Sequence, residues 1–321
     1  MKSILLRHRT IVEPKQNREN NLENGNDAEV LSASMLLKAM GAEVSWGSRN
    51  EDGRKIDLIC SYDHPWISKE RLIFFVQVKS GSTYGRKLPI GFTLLGVAKK
   101  SAQRTSHPIC LIWVERQTNS TYWAYIHPFS TNESQHYGDN HLVNPATRFD
   151  IARCQAKVIP GKSEGSGIII KELTGTLKIK RAYALKKYKS LKNKTIINPN
   201  LGIVEFTRVG WRHMFRKQRS SMNKEKSMNL IPYLANLLEH KPSKIYITKN
   251  ELESERGYEF RTSEYVLTYD KVEFNNAGKL ESTSVIIRLL EEIMWPENWK
   301  ENSMLSQLIK RRLVLLSAYY K

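Results

Sequence analysis

Near its start, the chain places four polar side chains in otherwise apolar segments: two carboxylates, one amide and one ammonium. Gln77 and Lys79 lie in RLIFFVQVKSG, and Asp57 lies in KIDLIC. Glu29 precedes them in NDAEVLSASMLLKAMGAEV. A buried amide, ammonium or carboxylate costs free energy unless a partner satisfies it. A metal ion with its bound water would satisfy all four groups, so this set predicts a catalytic metal site.

The chemistry of such a site follows from its ligands. Carboxylate and amide oxygens suit Mg²⁺ or Mn²⁺, which keep several bound waters. We expect Asp57 to be the central ligand, with Glu29, the Gln77 side-chain oxygen and the Val78 carbonyl as further ligands. A bound metal lowers the pKa of its water and stabilises charge on a scissile phosphate. Lys79 would orient that water or offset charge in the transition state, which predicts hydrolysis of a phosphodiester bond.

The elements around these residues predict an α/β fold with a mixed sheet flanked by helices. Alternate side chains of a strand share a face, so Gln77 and Lys79 should point to the same side. Glu29 lies on an apolar helical stripe and should lean towards the sheet. The predicted order over about residues 26–128 is one helix, three strands, a second helix and two further strands.

These motifs, in this order, resemble the PD-(D/E)XK nuclease superfamily, in which a helix acid is followed by an acid on one strand and E/Q-x-K on the next. The specific part is IDLI followed by QVKSG, and the resemblance covers about residues 26–128. It is closest to the QVK-type branch, which includes Holliday-junction-resolvase-like, transposon-end-cleaving and defence-associated domains. The resemblance implies a restriction-endonuclease-like fold, Mg²⁺ or Mn²⁺ as cofactor and DNA as substrate. Gln77 replaces the commoner glutamate and supplies one charge less, which leaves the number of metal ions open.

The composition favours a nucleic acid partner. The chain has 321 residues, of which 51 are basic and 32 acidic, giving a net charge of +19. A surface this basic is typical of proteins that bind a phosphate backbone. No apolar stretch approaches the ~18–20 residues of a membrane span. The three cysteines lack a CxxC spacing, which argues against a disulfide scaffold or zinc ribbon and fits a reducing cytoplasm.

Further basic residues are candidates for contacts with phosphates of nucleic acid. One group follows the QVK strand, and two lie in the basic segments KIKRAYALKK and RVGWRHMFRKQR. The predicted set is Tyr84, Arg86, Lys87, Lys180, Arg181, Lys186, Lys187, Arg212, His213 and Arg216. A narrower hypothesis is a metal-independent ribonuclease in which His213 is the acid or base. The alternative for each group is a solvated surface without a ligand.

Changes in composition along the chain predict two folded domains. The segments are a polar arm over 1–25, a nuclease-like domain over 26–130, a basic linker or extension over 131–200 and an α+β domain over 201–321. In the last domain YEFRTSEYVLTYDKVEF reads as a strand, whereas STSVIIRLLEEIM and MLSQLIKRRLVLLSAYY are predicted helices. Trp295 and Trp299 would be packing anchors between these helices. The C-terminal domain is expected to serve recognition, regulation or dimerisation.

The function predicted from the sequence is a Mg²⁺-dependent deoxyribonuclease, with RNA left open as a substrate. One active site per chain favours a homodimer or a complex with a partner protein for cutting both strands. Family analogy adds a role in bacterial defence against phage, which is an association only. Three alternatives remain: a catalytically silent nucleic-acid binding module of the same fold, a nuclease gated by a partner or ligand through its C-terminal domain, and an unrelated α/β domain.

Overall fold

The structure, a computed structural model, describes residues 18–47, 56–103, 105–128, 136–156, 167–276, 278–302 and 305–321. These residues form an α/β protein with several sheets, as predicted. They divide into two compact units. The first unit takes the described residues up to Leu37 together with 42–61 and 73–143, and the second takes 38–41, 62–72 and the chain from 144 onward. Within the part of the chain described, no helix has the length and apolar character needed to cross a membrane.

A five-stranded mixed sheet supports the first part of the chain. In chain order the elements are α1 (Arg18–Met40), β1 (Glu43–Trp46), β2 (Leu58–Asp63), β3 (Arg71–Ser80), β4 (Gly85–Lys87), β5 (Phe92–Leu94), α2 (Gly96–Ala102), β6 (Ile109–Glu115), β7 (Ser120–Ile126) and β8 (His136–Tyr137). The sheet has the order β1-β2-β3-β6-β7, and β4, β5 and β8 form a smaller sheet. The pair β3–β6 is parallel, so the carboxyl ends of these strands meet at one edge.

The strands and helices predicted around the motifs are confirmed, but the structure adds the short strands β4 and β5 before α2 and differs at the start. Helix α1 begins at Arg18, so residues 18–25 are helical and do not belong to an arm. The part of the predicted arm before Arg18 lies outside the described residues. The early turns of α1 are polar and carry no apolar period, which is why the sequence pattern missed them. The helix ends at Gly41, whose φ of 66° is the left-handed conformation that glycine adopts readily.

The second part of the chain has more strand than its sequence suggested. Its elements are α3 (Thr147–Ala156), β9 (Ile168–Lys171), α4 (Leu177–Leu191), β10 (Ile196–Asn198), β11 (Gly202–Val204), α5 (Arg208–Met214), α6 (Ser221–Leu230), a 3-10 turn (Ile231–Tyr233), α7 (Leu234–Glu239), β12 (Lys244–Glu255), β13 (Tyr258–Asn276), β14 (Lys279–Pro296), α8 (Leu305–Leu308) and β15 (Lys310–Tyr320). Strands β12 to β15 form an antiparallel sheet in chain order, and β9 adds to β13 in parallel.

The two C-terminal helices predicted from the sequence are wrong, because both segments are long strands. The buried side chains of β14 alternate: Val285, Ile287, Leu289, Glu291, Ile293 and Trp295 are all buried. Runs such as VII and LL fit helical and strand spacing equally well. The β-branched content of the segment and its pairing with β13 and β15 favour the strand. Trp295 and Trp299 are buried, but the elements that they anchor are not helices.

The basic segment interpreted as a linker also differs from that prediction. Residues 177–191 form helix α4, and Ala184, Tyr188 and Leu191 pack in the core of the second unit. The Tyr188 hydroxyl donates a hydrogen bond to the Thr207 carbonyl at 2.8 Å. Only a narrow stripe of α4 is buried. The many basic residues on the other faces of the helix make this stripe difficult to recognise in the sequence.

Candidate functional site

One cavity of the first unit brings together three of the four predicted catalytic residues, which are Glu29, Asp57 and Lys79. It has a volume of about 420 Å³ and is called the Asp57 cavity below. Its lining includes Glu29, Asp57, Val78, Lys79, Tyr84 and Arg116, together with residues 25, 28 and 80–83. The cavity lies at the edge where the parallel strands β3 and β6 end. Binding sites of sheets with parallel strands often occur at the carboxyl ends of those strands.

Asp57 and Lys79 form the polar centre of this cavity. The Asp57 side chain is 6% exposed and accepts a hydrogen bond from the Val78 backbone N–H at 2.5 Å. The Lys79 Nζ lies 3.9 Å from Asp57 Oδ2 and donates to the Val78 carbonyl at 2.9 Å. The Nζ also lies 5.8 Å from the centre of the Tyr84 ring. A carboxylate and an ammonium are thus held side by side at the wall of an open cavity.

The backbone of the motif fixes this geometry. The Asp57 N–H donates to the Val76 carbonyl at 2.9 Å, which holds the start of β2 against β3. Through its side chain Asp57 then binds the N–H of Val78, two residues further along β3. The motif is therefore joined by two hydrogen bonds, one from the backbone and one to the side chain. The carboxylate is restrained, which a preorganised ligand requires.

Gln77 is the one predicted catalytic residue that does not line the cavity. It shares a face of β3 with Lys79 but is fully buried, and it pairs in register with Leu111 of β6. Neither its Oε1 nor its Nε2 has a hydrogen-bond partner among the described residues. The predicted role of Gln77 as a ligand that faces the cavity is therefore not supported by this geometry. The unsatisfied amide still marks the position as unusual, because buried amides are normally paired.

The donor set of the cavity fits a hydrated Mg²⁺ or Mn²⁺ ion. Two carboxylates, Glu29 and Asp57, line it together with Val78, which offers a backbone carbonyl. Mg²⁺ in enzymes is commonly bound by one or two carboxylates, with water and substrate phosphate completing its shell. Among the described residues no cluster of three or more His, Cys, Asp or Glu side chains suits a metal. Two carboxylates and one carbonyl do not fill an octahedral shell, so water and substrate would supply the remaining ligands of an ion at this cavity.

The structure adds Arg116 to the site, a residue that the sequence analysis did not select. Its Nη2 donates to the Ser80 hydroxyl at 2.9 Å, so the guanidinium lies over the end of β3. Gly81, with φ of 81°, allows this approach, because a side chain there would meet the Arg116 guanidinium. The sequence alone does not select Arg116, because its place follows from the parallel pairing of β3 and β6, which ends both strands at the same edge. A basic residue directly after β6 therefore lies next to the QVK motif at the end of β3.

The predicted phosphate contacts are distributed over several surfaces. Tyr84 lines the Asp57 cavity, whereas Arg86 and Lys87 are exposed on β4 and do not line it. Lys180 binds Glu225 at 2.6 Å and Glu172 at 3.1 Å, so its charge is offset. The other predicted residues of α4, which are Arg181, Lys186 and Lys187, are exposed.

The last predicted group divides between a cavity and a surface. His213 and Arg216 line a separate cavity of the second unit, and the neighbouring Arg212 is exposed and does not line it. Burial lowers the pKa of His213, and the positive charges of Arg216, Arg288 and Arg219 lower it further. The imidazole is therefore held neutral, and the cationic acid that a metal-independent ribonuclease needs is disfavoured.

Comparisons with known proteins give one partial match. Residues 175–256 match the family described as Large polyvalent protein-associated domain 3. The match lies within the second unit and covers α4 to α7 and all of β12. Searches of curated proteins and of solved structures gave no significant match.

Proposed function

We propose that the Asp57 cavity hydrolyses phosphodiester bonds and that the chain is a metal-dependent endonuclease, with DNA as its substrate. The observation that carries this proposal is the position of Asp57 and Lys79, 3.9 Å apart at an open cavity that Glu29 also lines. A buried carboxylate and ammonium beside solvent are costly for a purely structural role. They are the groups that phosphoryl chemistry requires, and the basic net charge of +19 favours a polyanionic substrate.

Each residue then has a role set by its place in the cavity. Asp57 and Glu29, through their carboxylate oxygens, and the Val78 carbonyl are the groups that would hold a metal ion at this cavity. A bound metal ion would supply an activated water and offset charge on the phosphate. Lys79 positions its ammonium to stabilise negative charge that develops during the displacement. Arg116, anchored on the Ser80 hydroxyl, binds a neighbouring phosphate and orients the strand.

The first test is cleavage of supercoiled plasmid by the full chain with Mg²⁺, with Mn²⁺ and with EDTA. Cleavage should require the metal and should fall by about 10²-fold or more in Asp57→Asn, which removes the charge of the central ligand. Asp63→Asn is the matched control, because Asp63 ends the same strand with its side chain 84% exposed. That variant should cut like the wild type, and equal cleavage by Asp57→Asn would refute the proposal.

A second candidate is a nuclease whose second unit connects it to a larger assembly. The match to a domain described as associated with large polyvalent proteins supports this idea. We propose that the chain acts in the cytoplasm, as a homodimer or in a partner complex, with a role in defence against foreign DNA. Weak cleavage by the full chain, rising when a partner is added, would favour the gated nuclease. DNA binding without cleavage under every condition would favour the silent binding module.

A further inference from the structure

The second unit has a cavity of its own that is unusually rich in arginine. It has a volume of about 390 Å³ and is called the Arg216 cavity. Its lining includes His213, Arg216, Arg219, Ser220, Arg288 and Tyr319, and none of the described residues that line it is acidic. Three guanidinium groups around one open cavity repel each other, so this arrangement is costly unless an anion binds there.

The arginines are held in place by contacts that leave the cavity positive. Arg288 donates through Nε to Glu264 at 2.6 Å, and Arg219 donates through Nη1 to the Met214 carbonyl at 3.2 Å. The Arg219 guanidinium also lies 5.6 Å from the centre of the Tyr319 ring. Arg216 is exposed at the rim. Three guanidinium charges against the one Glu264 carboxylate leave two positive charges at the cavity.

Two further groups add to this preference for an anion. Ser220 is the N-cap of the ten-residue helix α6, and its side chain accepts the Asn223 N–H at 3.2 Å. The helix N-terminus therefore meets the same cavity, and helix N-termini favour negative charge. The Nδ1 of His213 is buried and has no hydrogen-bond partner among the described residues. An oxygen-rich ligand would give this nitrogen a partner.

The fold positions these groups through one close contact. Gly210 lies in α5, where a Cβ atom would clash with the Leu315 carbonyl oxygen of β15. Glycine therefore lets α5 rest directly on the strand that also carries Ser317 and Tyr319. Arg288 pairs in register with Ser317, so one side of the cavity is the sheet and the other is α5 with the loop after it. The cavity is therefore formed by elements that lie far apart in the sequence, and not by a single loop.

We propose that the Arg216 cavity binds a phosphate monoester as its dianion. Guanidinium groups form paired hydrogen bonds with phosphate oxygens, and two net charges match a dianion better than the single charge of an internal phosphodiester. A monoester phosphate has its second pKa near ~6 and is dianionic at neutral pH. Such a group occurs on a free nucleotide and at the 5′ end of a nucleic acid strand. The site lies outside the Asp57 cavity and does not depend on cleavage.

The test measures binding by the full chain in EDTA at pH 7.5, so that hydrolysis cannot contribute. Fluorescence anisotropy compares a single-stranded DNA 12-mer carrying a 5′-phosphate with the same strand carrying a 5′-hydroxyl. Calorimetry compares 5′-AMP with adenosine. The phosphorylated form should bind about tenfold more tightly in at least one pair, since a charged hydrogen bond contributes about that factor. The strand pair and the nucleotide pair distinguish the two sources of the phosphate.

Variants separate this site from general attraction to basic surface. Arg216→Ala and Arg219→Gln should each remove most of the preference for the phosphorylated form. Arg212→Ala is the matched control, because it removes the same charge from an exposed position one residue before His213 and outside the cavity. A preference that is absent in both pairs, or that Arg212→Ala lowers as much as Arg216→Ala, would overturn the proposal. Loss of plasmid cleavage with retained phosphate preference would affect only the nuclease.

Discussion

Each unit of this protein buries a carboxylate beside a sheet strand, and the two carboxylates differ in how completely cations surround them. Glu291, on β14, is fully buried and binds Arg153 Nη2 at 2.5 Å and Arg311 Nε at 2.7 Å. It also accepts the Tyr265 hydroxyl at 3.1 Å. Asp57 has its ammonium neighbour 3.9 Å away and lies at an open cavity. A carboxylate enclosed by several cations stabilises a fold, whereas a carboxylate at a cavity wall can also contact a ligand that enters the cavity.

The cluster around Glu291 extends beyond a single ion pair. Asp150 binds both Arg153 and Arg261, with each shortest distance 2.5 Å, so helix α3 is tied to β13 and β14. Burial alone would raise the pKa of Glu291, but Arg153, Arg311 and Arg261 hold it well below its usual range. The group therefore stays charged, and the network needs all its members. We infer a structural role for this cluster and a functional one for Asp57.

The largest effect is expected for Glu291→Gln, which leaves arginines buried without their counter-charge. Breaking a buried ion pair by removing one partner costs about 3–5 kcal/mol in the free energy of unfolding. Asp57→Asn should cost far less, since the amide can still accept the Val78 N–H. Urea denaturation of the two variants, with thermal unfolding as a second probe, compares the costs. If both variants lose a similar free energy of unfolding, the assignment of a structural role to Glu291 and a functional role to Asp57 is wrong.

The buried Glu291 carboxylate also makes the stability of the fold depend on pH. The folded-state pKa of Glu291 is depressed, so its contribution to stability is full above the unfolded value, near ~4.3, and is lost as the pH falls below it. In Glu291→Gln this part of the acid sensitivity should disappear. The free energy of unfolding, measured from neutral to acid pH, tests this. If it falls with pH as steeply in the variant as in the wild type, Glu291 does not contribute to the acid sensitivity as proposed.

Lys79→Ala should act on catalysis with little effect on folding. Removing one group that stabilises developing charge lowers the rate by about 10²–10³-fold. The Lys79 side chain is only 18% exposed, yet it contacts the edge of a cavity that water can fill. Single-turnover cleavage of a labelled duplex gives the rate, and gel-shift binding in Ca²⁺ shows whether DNA affinity is kept. A loss of binding that equals the loss of rate would assign Lys79 to substrate binding.

Gln77→Leu should stabilise the first unit. The substitution replaces a fully buried amide, without a described hydrogen-bond partner, by an apolar group of similar size. Relief of such an amide is worth about 1–3 kcal/mol. Thermal unfolding tests the gain, and cleavage by the same variant tests the ligand role. If the variant is both less stable and inactive, Gln77 has the ligand role that the sequence predicted.

The smallest effect is expected for Arg86→Ala and Lys87→Ala, which lie on the exposed face of β4 outside the cavity. Each should weaken DNA binding by less than about 1 kcal/mol, with a shallower salt dependence and an unchanged cleavage rate at saturating DNA. Affinity measured over a range of salt concentrations gives the slope. A large loss of cleavage rate would mean that β4 belongs to the active site.

Local sequence patterns determined the fold around the Asp57 cavity. The alternation in β3 placed Lys79 on the expected face, and most strands and helices between residues 43 and 126, apart from β4 and β5, followed from turns and apolar runs. The lining of the Asp57 cavity could therefore be predicted in part: Gln77 was expected there but does not line it, and Arg116 requires knowing that β3 and β6 are parallel neighbours. Parallel pairing joins residues far apart in sequence, and no local period reports it.

The second unit shows what only the tertiary structure decided. The apolar runs of β14 and β15 fit two periods, and pairing between β13, β14 and β15 selects the strand. Glu291 looked like one charge among many, yet the fold surrounds it with arginines from α3 and β15. Composition by itself determined the excess of basic residues. The tertiary structure decided which of those charges are paired in the core and which remain at a cavity. A buried charge is stable only with a partner, whereas a charge in contact with solvent needs none.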